Sequence, residues 1–353
     1  MRFILFIKIL STKSTIILVL LCFSCSSSNE FDYKEFSLTG REVGPTDFFG
    51  EPTSIISHKG YFVIADERTQ DNLHYLNENF EILKSFGRPG AGPDEIELVV
   101  TFMPIQPFKE QPLRLLTGEA VKEIDLNKKD DELKLVKYPK DIVLTQKIVV
   151  VNDTIIWGQG GSDKFKFMVV NTNNAEVVKY LPFVAFEDSF TSDILPFAYH
   201  GLGFYHPWFN QVVWNHIQLN TIEFYAPNGD FEREWVFGAA WTEEELKNRY
   251  PVLLRSVPIP KGLLVMHIKE AKDLANNSTV ANLYYAAIAK IKTRILFFNE
   301  EGEVKWSLKL DRFLNDFTFD VENKRIVGVF GESEKQNIVV YELPEDLLRE
   351  IGF

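Results

Sequence analysis

The chain has 353 residues, 45% hydrophobic and 14% aromatic with 30 phenylalanines, enough apolar material for a sizeable core and a composition suited to half-buried pleated surfaces. Its formal charge is −12, and because residues 1–24 carry Arg2, Lys8 and Lys13 but no acid, the remainder holds 35 basic against 50 acidic residues, a charge of −15. Such a body repels phosphate backbones, which excludes nucleic acid as a partner, and its lack of any cysteine beyond Cys22 and Cys25 excludes disulfide, thiolate and cysteine-ligated metal chemistry.

The first element is a leader. Arg2, Lys8 and Lys13 form a basic region, Ile16 to Leu21 an unbroken apolar run too short for an ordinary spanning helix, and Ser24 is a small residue before Cys25. The alternatives are a plain signal peptide and a lipoprotein signal. Leu21-Cys22-Phe23-Ser24-Cys25 resembles a lipobox, whose cysteine becomes the new N-terminus and carries acyl chains. The resemblance implies a signal over residues 1–24, lipidation at Cys25, the lipid bilayer as a partner, and a place in the cell envelope, anchored to the outer membrane and either periplasmic or surface-exposed. Residues 25–32 are polar and without periodicity, a flexible tether.

From residue 33 to 353 a single pattern recurs: an alternating apolar strand, a polar turn, a second strand. Copies lie at 72–87, 121–138, 167–181, 221–238, 293–310 and 337–348, with turns rich in Asn, Asp, Gly and Glu, of which Asn228-Gly229 is the strongest hairpin signal. Turn centres near residues 78, 130, 173, 229, 302 and 345 are 52, 43, 56, 73 and 43 residues apart, close to the length of a four-stranded propeller blade except for the fourth interval. Further strand pairs precede most copies, at 54–66, 147–159 and 317–329. The expectation is an all-β, six-bladed β-propeller rather than a sandwich, because a sandwich does not explain like units at blade spacing. The last unit is one strand short, and residues 344–353 read as turn-like. Residues 33–41 alternate and precede the first blade, so they are expected to close the last one as its outer strand. The long fourth interval holds an expected helical insertion between blades 4 and 5, residues 239–250, with Thr242 as cap, Glu245 three residues on and Pro251 as stop. A second short helix or loop is read at 269–277. The second blade is the weakest, with Pro104, Pro107 and Pro112 in residues 98–112.

After the first hairpin, residues 86–95 read FGRPGAGPDE. This resembles the GRxGxGPGE motif of the TolB-like six-bladed β-propeller lipoproteins of Gram-negative bacteria. Gly87, Arg88, Gly90, Gly92, Pro93 and Glu95 match, whereas Asp94 replaces a Gly and Ile96 an aromatic residue. The resemblance implies fold and location and brings no activity with it. The glycines suit a tight crossover between blades; the alternative reading is an anion site made of bare amides and Arg88.

No catalytic constellation is present. There is no HExxH pair and no GxSxG elbow. The densest aromatic stretch runs through Phe204, Tyr205, His206, Pro207, Trp208 and Phe209, either blade packing or a stacking platform for a sugar or aromatic group. The candidate ligand-binding residues are Arg88, His206, Trp208, Arg255 and His267. The leading function is a non-catalytic binding or scaffold protein for an envelope peptide, glycan or protein, with no cofactor. The alternative is a calcium-dependent, lactonase-like hydrolase whose cation sits in the central channel, with Asp66, Asn152, Asp153, Asn220 and Asp316 as candidate oxygen donors.

Overall fold

The computed structural model describes residues 33–66, 69–90, 92, 95–96, 99–102, 113–117, 121–124, 134–136, 148–152, 155–159, 165–171, 173–174, 176–181, 201–216, 219–237, 253–267, 292–330 and 337–353. The leader, the tether, Cys25, the helical insertion at 239–250, the segment 269–277 and His200 lie outside these residues. Among those described, no helix is long and apolar enough to cross a membrane.

Two short strands, β1 (Lys34–Leu38) and β2 (Arg41–Val43), open the fold. Antiparallel meanders follow. The first is β3 (Pro52–His58), β4 (Tyr61–Asp66), β5 (Leu73–Leu76) and β6 (Ile82–Phe86). A parallel pair of two-residue strands, β7 (Arg88–Pro89) and β8 (Glu95–Ile96), sits in the crossover to the second: β9 (Val99–Phe102), β10 (Leu113–Thr117), β11 (Val121–Ile124) and β12 (Lys134–Val136). The third comprises β13 (Ile148–Val150), β14 (Ile155–Gln159), β15 (Phe167–Asn171) and β16 (Glu176–Leu181). The fourth comprises β17 (Gly201–His206), β18 (Gln211–His216), β19 (Thr221–Tyr225) and β20 (Phe231–Val236). Next come β21 (Leu253–Ile259), β22 (Gly262–His267), β23 (Arg294–Asn299) and β24 (Val304–Leu310). The last sheet joins β25 (Asp316–Asp320), β26 (Arg325–Val329) and β27 (Ile338–Glu342) to β2, and a C-terminal helix, α1 (Glu345–Ile351), follows. Five blades are four-stranded, not the six expected. The sheet built on β21–β24 departs from the pattern because β1 adds a fifth strand, parallel to β24.

Apolar side chains pack between successive sheets. Val63 and Leu73 of the first meet Leu113 and Leu115 of the second, and Trp157 and Phe167 of the third meet Trp214 and Tyr225 of the fourth. Phe224 and Trp235 meet Val265 and Phe298, and Phe297 and Trp306 meet Phe319 and Tyr341. The last sheet packs on the first through Val327, Ile338 and Val340 against Ile55, Phe62 and Ile64, so the end of the chain returns to its beginning. Successive meander sheets, with the last packed on the first, make the fold an all-β propeller. Each such fully buried side chain contributes roughly 1.5–3 kcal/mol.

The turn chemistry follows the sequence. Lys59 and Gly60 both have positive φ, as a two-residue hairpin between twisted strands requires. Asn77 and Asn299 use one device at equivalent places: the side-chain oxygen accepts the N–H four residues on, and the amide donates to the carboxylate of Glu81 or Glu303.

Closure differs from expectation in register. Residues 34–43 run as one extended segment shared by two sheets: Phe36 lies opposite Leu308 of β24, whereas Arg41 lies opposite Val340 of β27. Only the downstream end closes the last sheet; the rest of the segment predicted to do so leans on its neighbour. Gly40 marks the crossing, because a Cβ there would run into Val339 and Tyr341. Residues 344–353 are also corrected, from turn to helix: Glu345 and Asp346 favour the first turn, Arg349 the last, Gly352 stops it at φ 102°, and Leu347 and Ile351 bury into the core beneath. Glu350 then accepts from Trp306 Nε1 at 2.8 Å and Lys34 Nζ at 2.8 Å, tying helix, β24 and β1 together.

Candidate functional site

The innermost strands β3, β21 and β25 stand side by side, and the inner edge of β3 is sealed by side chains of β25. Asp316 Oδ2 accepts the Ile55 N–H at 3.0 Å and Thr318 Oγ1 the Ser57 N–H at 3.2 Å, so alternate residues of β25 satisfy alternate amides of β3. Arg255 of β21 reaches across to Asp316, Nε to Oδ1 3.2 Å. Pro258 fits in β21 because that strand is an edge with no inner neighbour to receive an N–H.

Between these strands lies a cleft of about 60 Å³, running from Arg255 and Ser256 along Thr318 and Phe319 to the hairpin turns at His58-Lys59 and Glu322, with Trp208 from the turn between β17 and β18 on its wall. Ser256 Oγ and His58 Nδ1 are buried atoms with no hydrogen-bond partner among the described residues. Burial, and then Lys59 beside it, lowers the His58 pKa and keeps its ring neutral.

Trp208 is placed by His206, which is fully buried. The Phe209 N–H donates to Nδ1 at 3.1 Å, so Nε2 carries the proton and donates to the Gly262 carbonyl at 3.0 Å; the ring stacks on Phe209 at 3.8 Å. Burial pushes the His206 pKa down to about 4. His206 therefore pins two neighbouring hairpins and carries Trp208 6.0 Å from its ring.

Of the predicted residues, Trp208 and Arg255 meet in the cleft and His206 stands behind them. The other two lie elsewhere. Arg88 is exposed on the crossover after β6, and His267 ends β22 with its ring 6.5 Å from Phe237. The Gly-rich crossover supplies its own anion: Glu95 Oε2 accepts the Gly92 N–H at 2.8 Å, Lys122 Nζ donates to the Gly92 carbonyl at 3.2 Å, and a Cβ at Gly90 would collide with the Glu95 carboxylate. The motif glycines make room for that internal cap.

Three of the five candidate oxygen donors for calcium, Asp66, Asp316 and Asn152, already hold bonds within the fold. Asp66 accepts the Gly50 and Glu51 N–H groups at 2.7 and 2.8 Å, Asp316 faces Arg255, and Asn152 caps its own turn through Ile155 N–H at 2.8 Å; Asp153 lies outside the described residues. Among the described residues no three His, Cys, Asp or Glu side chains gather to hold a metal ion. Sequence reading missed His58, Lys59, Ser256 and Thr318. The one available signal was position: each lies on the innermost strand of its unit, or in the turn that leaves it.

The chain's sequence matches no protein-family model and none of the curated proteins. Its fold does have neighbours. A Bacteroides fragilis protein inferred to be exported is 11% identical, with a TM-score of 0.56 over 88% of this chain and 99% of that one. A member of the DUF4221 family from Bacteroides vulgatus is 10% identical, with a TM-score of 0.50 over 86% and 95%.

Proposed function

We propose that this chain is an exported, lipid-anchored propeller of the TolB-like kind that binds an envelope ligand, and that the β21–β24 sheet, despite its added strand, counts as the fifth of six blades. The observation carrying the binding reading is the cleft itself: an indole, a guanidinium and hydrogen-bonding groups with open valences converge where four blades meet. The lipobox at Cys25 and the likeness to a Bacteroides protein inferred to be exported support the envelope location.

Thermal unfolding of the full chain, with calcium and with soluble envelope glycans and peptides, tests the reading, because a ligand for the native state raises its stability. A glycan or peptide shift that disappears in Trp208→Ala is expected. A calcium shift that survives it would point instead to the hydrolase. Replacement of Cys25 by Ser is expected to release the protein from the membrane fraction.

A further inference from the structure

We propose that the mouth of the cleft receives the edge of one uncharged pyranose ring, a unit of a neutral glycan, with Trp208 as the stacking face and Ser256 Oγ and His58 Nδ1 as the hydroxyl partners. This rests on the binding reading and adds the ligand's chemistry to it.

A sugar ring has a flat C–H face and a rim of hydroxyls, each able to donate and accept. It needs an aromatic plane beside neutral polar groups whose hydrogen bonds are still to be made. The cleft offers both. The Trp208 turn is rigid, held by the His206 bonds to Phe209 and Gly262. Ser256 is only 4% exposed, and its hydroxyl and the His58 Nδ1 atom have no partner among the described residues, an arrangement that a native interior rarely leaves in place.

The charges argue for a neutral ligand. Arg255 already faces Asp316, and Lys59 shares the lining with Glu322, so the positive groups arrive with acids beside them. A body of charge −15 further disfavours a polyanion. A peptide added as a strand to β3 is blocked, because the inner-edge amides of Ile55 and Ser57 are taken by Asp316 and Thr318.

The test is calorimetric titration of the full chain in detergent with four neutral probes, maltoheptaose, xylohexaose, cellohexaose and mannohexaose, and two controls, oligogalacturonate and a soluble acidic peptide. Saturable binding of at least one neutral probe is expected. Trp208→Ala should weaken it about tenfold or more, the loss typical of one aromatic anchor, Trp208→Phe less, and Ser256→Ala about three- to tenfold. Ser256→Ala removes one oxygen, so it separates a lost contact from a lost fold; unchanged melting in that variant is part of the expected result. No binding by any neutral probe, or binding indifferent to both Trp208→Ala and Ser256→Ala, overturns the sugar assignment. Binding of oligogalacturonate or peptide alone, abolished by Trp208→Ala, overturns the sugar assignment while leaving the cleft as the binding site.

Discussion

Glu223 and Asp316 are both buried carboxylates, 1% and 4% exposed, yet the surroundings of one answer burial and those of the other do not. Burial alone raises both pKa values. Around Glu223, between the third and fourth blades, Lys166 makes a buried ion pair, His216 Nε2 stands at 3.2 Å and the Tyr225 hydroxyl donates at 2.8 Å; together the cations overcome burial and hold the carboxyl well below its ordinary range. Around Asp316, Arg255 and the amides of Ile55 and Phe317 offset burial only in part, and the carboxyl stays above its ordinary range. Arg255 keeps 15% of its side chain exposed toward the cleft, whereas Lys166 keeps none. A sealed network serves rigidity; a network open on one side can accommodate a ligand.

The largest effect that sharpens this contrast is expected from Glu223→Gln. It strands the Lys166 ammonium in the core and should cost about 3–5 kcal/mol in denaturant unfolding, while the double replacement Lys166→Met with Glu223→Leu should recover most of it. Because the Glu223 pKa is lowered, its contribution is in place above the unfolded carboxylate value and drains as pH falls below it. A loss under about 1 kcal/mol would break the comparison.

His206 comes next. Its folded pKa of about 4 lies below the ordinary 6.5, so the stability it lends is complete above pH 6.5 and is lost as pH falls toward 4, in all about 3 kcal/mol. Urea midpoints measured across that window should fall in the wild type and run flatter in His206→Gln. Gly40→Ala, which drives a Cβ toward Val339 and Tyr341 where the chain crosses between sheets, should cost roughly 1–3 kcal/mol by thermal melting. The smallest effect is expected at Asp316→Asn, about 1–2 kcal/mol, because the amide oxygen replaces only one of the two carboxylate oxygens that accept the Ile55 and Phe317 N–H groups, while Arg255 is partly solvated. The sign is opposite to Glu223: with a raised pKa, the wild-type contribution of Asp316 is fullest below the unfolded carboxylate value and declines as pH rises through the folded one. A loss at Asp316 equal to that at Glu223 would erase the distinction.

Much of the blade structure was legible from local pattern. The hairpin at Asn228-Gly229 and the strands around 72–87 and 293–310 fall where alternation and turn residues place them, because strand pairing across a short turn is decided by neighbours in the chain. The closing segment was legible as a strand but not in its partner: the alternation around Phe36 suits either outer edge, and only the meeting of Gly40 with Val339 and Tyr341 sets where it crosses. The tail was misread because Pro344 and the acidic residues after it signal a turn and a helix start alike, and burial of Leu347 and Ile351 selected the helix. In the cleft, Trp208 stood out by composition, whereas Ser256 and Thr318 are ordinary residues whose value comes from the strands they face.

The sequence by itself determined the repeating sheet units and the acidic cysteine-free body, since periodicity and charge are set by a few residues at a time. Tertiary structure alone decided which sheets receive residues 34–43, how Glu95 caps the Gly-rich crossover, and which side chains meet on the inner strands. Those outcomes depend on contacts such as Ile55 with Asp316, 261 residues apart, where burial and hydrogen-bond satisfaction choose among partners that local pattern leaves equivalent.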